Sequence, residues 1–417
     1  MSESKGIKKI YDQWGGTTAT FFSYTHLSHD LCIGLLSAIL PLIRVGLRIS
    51  YLQSGLLLAA FTITSGFSQF LGGWLGDRIS RPMAIVIGLG GVSLGALMVG
   101  FSSSYYSLLI MLIIMGIFSG AYHPSATSLI SAYFGKDNRG KAIALHMVGG
   151  SIGFSLGPLA GGLIAEAMGW RSAFIILSIP TFVAAILVYT KFRQRVSVRV
   201  NETSSNISAE NEIIIDPIST KAGLIQVLKP IAVVIILTIL IQLVAGSTMG
   251  FLPIYLVDKH GIAPATAAIF MSVVRGGGVI GSLFGGWLSD RWTRQKSLIL
   301  ALVATGPILY LVTILPFNAV FIVVLVFFGF LMIMRQATVQ PLLMDNVPMH
   351  LRATVFGIYF GLSMEGTSLV QPLAGYFMDI FGIVNVFQII AFMSIGLSII
   401  SLLVLNKPRK NDGDNHG

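Results

Sequence analysis

The chain has 417 residues, of which 54% are hydrophobic and only 11% charged, and its mean hydropathy is +0.82. A soluble globular chain carries about 25% charged residues, so an ordinary soluble domain is excluded. The single cysteine, Cys32, excludes a disulfide framework, a cysteine-based zinc site and an iron–sulfur centre, while the net charge of +10 points either to nucleic acid or to unevenly placed basic loops.

Twelve apolar stretches are long enough to cross a bilayer. After a polar, lysine-bearing start, six lie at roughly 17–43, 50–74, 83–101, 106–133, 142–166 and 170–190. The first run is too long for a removed signal peptide and has no small-residue cleavage site behind it, so the first span is expected to stay in the mature protein. Residues 191–229 are polar, lack a periodic apolar face and read as a linker. Six further spans follow at roughly 230–256, 266–289, 297–316, 319–343, 354–378 and 382–405. Many spans contain glycine or proline, which membrane helices accept at close crossings. The expected fold is an all-α membrane protein of twelve helices: a half at 1–190, a cytoplasmic linker at 191–229 and a half at 230–417.

With the N-terminus placed inside, 21 of the 27 lysines and arginines fall in cytoplasmic segments and 4 in outside loops. That bias puts both termini in the cytoplasm and accounts for the net charge as topology, which removes nucleic acid as a partner. The halves also repeat. Gly73-Trp74-Leu75-Gly76-Asp77-Arg78 returns 213 positions later as Gly286-Trp287-Leu288-Ser289-Asp290-Arg291, and the same offset carries Arg139 onto Arg352 and Gly153 onto Gly366. Six spans intervene, so the copies run parallel. Parallel halves with a site between them near the midplane describe a transporter that rocks.

The loop Gly73-Trp74-Leu75-Gly76-Asp77-Arg78-Ile79-Ser80-Arg81-Pro82 resembles the Gly-x-Leu-x-Asp-Arg-x-Gly-Arg-Lys signature of the major facilitator superfamily, departing from it at Ser80 and Pro82. The second copy, with Asp290, Arg291 and Arg294, is degenerate as well, having Thr293 and Gln295. The resemblance covers nearly the whole chain. It implies that Asp77, with Arg78 and Arg81, acts as a latch by accepting backbone N–H bonds at a helix N-terminus or pairing with an arginine; a plain turn and topology signal is the alternative. In span 5, Gly153, Gly157, Pro158, Gly161 and Gly162 resemble the antiporter signature Gly-x-x-x-Gly-Pro-x-x-Gly-Gly. Small residues there permit a close helix crossing and Pro158 bends the helix, and ordinary packing would favour the same residues. Thr25-His26-Leu27-Ser28-His29-Asp30 in span 1 and Tyr122-His123-Pro124 in span 4 resemble the fosmidomycin-resistance branch, which implies efflux.

Ionisable residues at mid-span cost roughly 2.5–3.5 kcal/mol each on insertion scales, which makes each a functional candidate. Asp30 and Glu365 are the acids, Arg275 and Arg335 the bases. Asp30 is the first candidate for the proton carrier, because desolvation penalises its charged form and His26, four residues earlier on the same helical face, titrates near neutral pH. His29 belongs to the same cluster but is expected to point elsewhere. A static hydrogen-bonded network is the alternative, and for Glu365 a simple counter-ion to an arginine. Arg275 and Arg335 would present a planar cationic fork to an anionic substrate or pair with Asp30 or Glu365. His123 is a further substrate-site candidate, with packing beside the Pro124 kink as the alternative. The histidines form no His-Glu-x-x-His run, so no metal site is expected.

The function expected is secondary active, proton-coupled efflux of a small molecule by alternating access. Proton-coupled uptake of an organic anion is the alternative, and a transport-fold sensor or assembly factor a remote one. No enzyme activity and no cofactor are expected, since neither a phosphate-binding loop nor a nucleophile–base spacing is present. The expected partners are a small-molecule substrate, protons and the lipid bilayer, the expected location is the plasma (cytoplasmic) membrane, and the expected state is monomeric.

Overall fold

The computed structural model describes residues 16–202, 232–347, 355, 359 and 361–405, without the side chains at 75–77, 136–137, 193–202, 346, 364–365 and 405. Among the described residues there is helix and no strand. In chain order the helices are α1 Gly16–Ile33, α2 Leu35–Leu47, α3 Tyr51–Arg78, α4 Arg81–Gly100, α5 Tyr105–Tyr133, α6 Lys136–Met168 and α7 Trp170–Glu202. They continue as α8 Ala232–His260, α9 Pro264–Arg291, α10 Arg294–Ile314, α11 Ala319–Asn346, a π-turn Gly361–Glu365, α12 Gly366–Phe381 and α13 Ile383–Leu405.

Taking α1 and α2 together as one span, eleven helices among the described residues are long and apolar enough to cross a membrane. The expected span at 354–378 falls partly outside the described residues. Its described part is the π-turn followed by α12. The helices are apolar outward as well as inward: Phe70, Leu283 and Leu369 are 75%, 74% and 66% exposed. Surfaces of that kind belong against hydrocarbon rather than water. The backbone of α7 runs past the expected end of the sixth span to Glu202, and the rest of the linker at 203–229 lies outside the described residues.

The internal repeat is visible in the helix boundaries. Helices α3 and α9 are both 28 residues long, and they start and end 213 positions apart. The departures of the first loop from the family signature become intelligible here. Ser80 is the N-cap of α4, accepting from the Met83 N–H, with Pro82 in the first turn where a missing donor costs nothing. Thr293, again 213 positions on, caps α10 in the same way by accepting from the Lys296 N–H.

Two compact units divide the chain. The first holds residues Met1–Asp216, Gly250–Arg275 and Ser368–Ile383. Its core joins Phe22 of α1, Leu89 of α4, Tyr122 and Ile130 of α5 and Val188 of α7. The second holds Pro217–Met249, Gly276–Thr367 and Val384–Gly417, with Leu288, Ala301, Leu331 and Met334 packed together. Within it the Ser398 hydroxyl donates to the Leu302 carbonyl at 2.8 Å, tying α13 to α10.

In the first unit α1 and α6 cross at very short range. Gly149, Gly153 and Gly157 follow one another at intervals of four, and a Cβ at each would meet the carbonyl oxygen of Ser23, Leu27 or Leu31, respectively. The antiporter-like glycines are therefore, in the first instance, what lets two backbones touch.

Candidate functional site

In the first unit His26, His29 and His123 collect around Asp30. The close α1–α6 crossing sets the geometry. Gly150 of α6 lies where a Cβ would run into the His26 ring, so the imidazole fits against the helix and stacks on His146 with ring centres 4.2 Å apart. His26 Nδ1 is 2.9 Å from the His146 carbonyl oxygen. A carbonyl can only accept, so Nδ1 carries the hydrogen, and in the neutral ring Nε2 is a lone pair. That Nε2 lies 3.3 Å from Asp30 Oδ2. Two acceptors face each other, and the arrangement is satisfied when a proton or another cation lies between them.

The other carboxylate oxygen is held differently. His29 Nδ1 is 2.8 Å from Asp30 Oδ1, and His29 Nε2 is 3.4 Å from the Ser119 hydroxyl, which accepts in turn from Ser65 at 3.2 Å. Every donor direction in this chain is consistent: Ser65 to Ser119 to His29 to Asp30. The expectation that His29 points away from Asp30 is thus corrected. Successive helical residues diverge at Cβ, but the imidazole is long enough to swing back onto the carboxylate. Tyr122 stacks on the His29 ring at 4.6 Å and shares a hydrogen bond with Thr25 at 2.9 Å.

His123 joins the cluster from α5. Its Nε2 is 3.9 Å from Asp30 Oδ1, and it is the most accessible member, 33% exposed against 13% for Asp30 and 3% for His26. The site is polar, largely enclosed and open along His123.

Arg275 of α9 is also in the first unit, and it pairs with backbone. Its Nη1 donates to the carbonyls of Gly34 at 3.1 Å and Phe154 at 2.6 Å, its Nη2 to the Ser37 hydroxyl at 3.3 Å, and its guanidinium lies 3.7 Å from the Phe154 ring centre. Gly34 is the break between α1 and α2; a Cβ there would come within 2.9 Å of Nη1. Among the described residues its hydrogen bonds go to two carbonyls and one hydroxyl. Helix ends and breaks supply carbonyls that a fork of N–H groups can satisfy.

In the second unit Arg335 is 1% exposed. Nη1 donates to the Thr238 carbonyl at 2.8 Å and Nη2 to Gln242 Oε1, while Nε has no hydrogen-bond partner among the described residues. Gln242 in turn reaches the Thr367 hydroxyl. The side chains of Glu365 and Asp77 lie outside the described residues.

The remaining loop residues are at the ends of helices. Arg78 and Arg291 lie over Trp74 and Trp287 at 4.2 and 5.2 Å, Arg81 begins α4, Asp290 is exposed near the end of α9, and Arg294 pairs with Asp345 at 2.8 Å. Pro158 lies within α6, whose helix continues through it.

A second constellation, unmarked in the sequence reading, occupies the opposite end of α3. Ser50 and Gln53 form a capping box: the Gln53 N–H donates to the Ser50 hydroxyl at 3.2 Å and the Ser50 N–H to Gln53 Oε1 at 3.0 Å. Asp379 of α12 then accepts from the Tyr51 and Leu52 N–H groups at 2.8 and 2.9 Å. Nearby, Asp258 of α8 accepts from Arg44 at 3.1 Å and from the Tyr51 hydroxyl at 2.6 Å. Residues from both sequence halves are thereby fastened around one helix N-terminus, where a carboxylate is favoured. Asp379→Asn converts one of the two acceptor oxygens into a donor and is expected to lower thermal stability in detergent by about 0.5–2 kcal/mol, the range for losing a cap. Asp345→Asn, which breaks a pair whose acid is 53% exposed, should cost less than about 1 kcal/mol. Equal shifts in the two variants contradict the capping role of Asp379.

The loop signature, the repeat and the helical architecture find their match in a family model described as Major Facilitator Superfamily, which covers residues 22–369. The chain belongs to the major facilitator superfamily. It is 23% identical to the fosmidomycin resistance protein of Escherichia coli over 374 residues, 89% of this chain and 88% of that one. It is 27% identical to the multidrug resistance protein MdtG of Salmonella arizonae over 261 residues, 60% of each. Among solved structures, nucleoside transporter NupG superposes with a TM-score of 0.75 at 15% identity, over 94% of this chain and 100% of that one, a likeness of fold. The protein is a transporter-family membrane protein with the major facilitator fold.

Proposed function

We propose that this superfamily member is a proton-coupled exporter of a small molecule. The observation that carries the proposal is the His26–Asp30 pair, an imidazole lone pair and a carboxylate oxygen 3.3 Å apart, which share a proton well and repel when it leaves. Proton release from this pair, at the α1–α6 crossing, changes the charge at a helix contact with no slack, which is a means of biasing one transport state over another. The Ser65–Ser119–His29 chain is a hydrogen-bonded approach to the same carboxylate. Export is supported by the relatives named for fosmidomycin and multidrug resistance. The site is read as lying in the cytoplasmic membrane with both chain termini inside, in a monomer.

Everted vesicles with an acidified lumen test this reading. Proton release on adding one member of a panel of phosphonates, carboxylates and lipophilic cations is the expected result; no response from any, with a control transporter responding, contradicts it.

One observation favours a second reading, uptake of an organic anion. Arg335 is a buried guanidinium whose described partners are neutral, and a planar fork suits a carboxylate or phosphonate. Counterflow of labelled organic acids into right-side-out vesicles, lost in Arg335→Gln, distinguishes it.

A further inference from the structure

We propose that His26, His123 and Asp30 form a binding site for one divalent transition-metal ion of the zinc class. The candidate ligand atoms, one from each residue, all lie within 4.8 Å of one another. The His26 Nε2 to Asp30 Oδ2 separation of 3.3 Å is already the edge of a tetrahedron whose metal–ligand bonds are about 2.0–2.1 Å. His123 lies 3.9 Å from the other carboxylate oxygen, Oδ1, and its ligand atom is within 4.8 Å of those of His26 and Asp30, so it needs to approach by at most about 1.5 Å to complete three corners, and its partial exposure gives it room.

The groups behind the ligands are those a metal centre requires. A ligating histidine donates its other ring N–H to a carbonyl or carboxylate, which fixes the tautomer and aims the lone pair. His26 does this with the His146 carbonyl at 2.9 Å. The carboxylate is steadied by a hydrogen bond of its own, from His29 at 2.8 Å. Two imidazoles and one carboxylate suit zinc, cobalt or nickel rather than magnesium or calcium, which prefer oxygen alone. Three protein ligands leave one corner open. Spacing along one helix does not reveal this set, which takes two ligands from α1 and one from α5. Binding goes beyond the proton reading: a metal ion would occupy the oxygen that the proton uses and arrest the pump.

The test is a cobalt titration of the purified full chain in detergent micelles. One saturable site with the visible bands of four-coordinate cobalt, displaced by zinc, is expected. His26 is buried, so the deciding variant is His123→Ala, with circular dichroism and gel filtration confirming its fold; its cobalt affinity should fall at least tenfold. His29→Ala, which removes only the support for the carboxylate, should weaken binding by about 10–100-fold. No saturable band, or a band that His123→Ala leaves unchanged while His350→Ala or His416→Ala weakens it, overturns the site. If His123→Ala does not fold, the X-ray absorption spectrum of the zinc-loaded wild-type protein decides: two imidazole nitrogens in the first shell support the site, and an all-oxygen shell overturns it. Binding is measured without transport, and the vesicle assays are run with a chelator, so either reading can fail alone.

Discussion

Asp30→Asn reduces pH-driven transport to the level of empty vesicles while leaving the protein folded and solute exchange measurable. The substitution is well suited to separate the two because the carboxamide satisfies the same partners without titrating. Its oxygen accepts from His29 Nδ1 where Asp30 Oδ1 does now, at 2.8 Å. Its N–H₂ group faces His26 Nε2, whose lone pair is fixed by the bond from Nδ1 to the His146 carbonyl. Nothing buried is left unsatisfied, so the large destabilisation that follows from orphaning a buried polar group is not expected. What is lost is the proton. The measurement is a paired one, pH-driven flux and solute counterflow on the same proteoliposomes. An unchanged pH-driven rate removes Asp30 from the mechanism, and loss of both activities with an intact fold makes it a solute ligand instead.

Gly153→Ala destabilises the protein by about 1–3 kcal/mol, the usual cost of forcing a methyl group into a filled contact. A Cβ at Gly153 meets the Leu27 carbonyl and backbone, and backbone cannot rotate away as a side chain can. Gly276→Ala is the internal control, since a Cβ there meets nothing within 4 Å; with alanine the better helix former, its stability should hold or rise slightly. Thermal unfolding of both variants in the same detergent makes the comparison. Similar midpoints would mean that the glycines of α6 serve motion rather than contact, because the crossing would then have slack the structure does not contain.

Helix number, the repeat and the His26–Asp30 pairing were legible because each rests on periodicity. Apolar runs mark spans, a common offset marks the halves, and residues four apart share a helical face. The rest depends on which helices meet. His123 reaches Asp30 only because α5 packs beside α1, and nothing in Tyr122-His123-Pro124 names that neighbour. Ser119, Gln242 and Thr367 are neutral residues in apolar runs, so nothing in the sequence marks them. Arg275 stood out as a charge, but its hydrogen-bond partners are two carbonyl oxygens and the Ser37 hydroxyl, which no sequence pattern displays. At the start of α3, Ser50 and Gln53 spell a capping box that could have been read directly; Asp379, which completes the cap from α12, could not. Ser80 and Pro82, which looked like departures from the family signature, are the cap and first turn of α4.

The central claim is that a proton is held between His26 and Asp30 and leaves when solute binds. Proton release by the purified protein in weakly buffered detergent tests it most directly, using a compound that responds in the vesicle panel. The wild-type protein should release protons on binding, and Asp30→Asn should bind the same compound with none released. Equal release from both proteins would contradict the account and place the coupling proton elsewhere in the molecule.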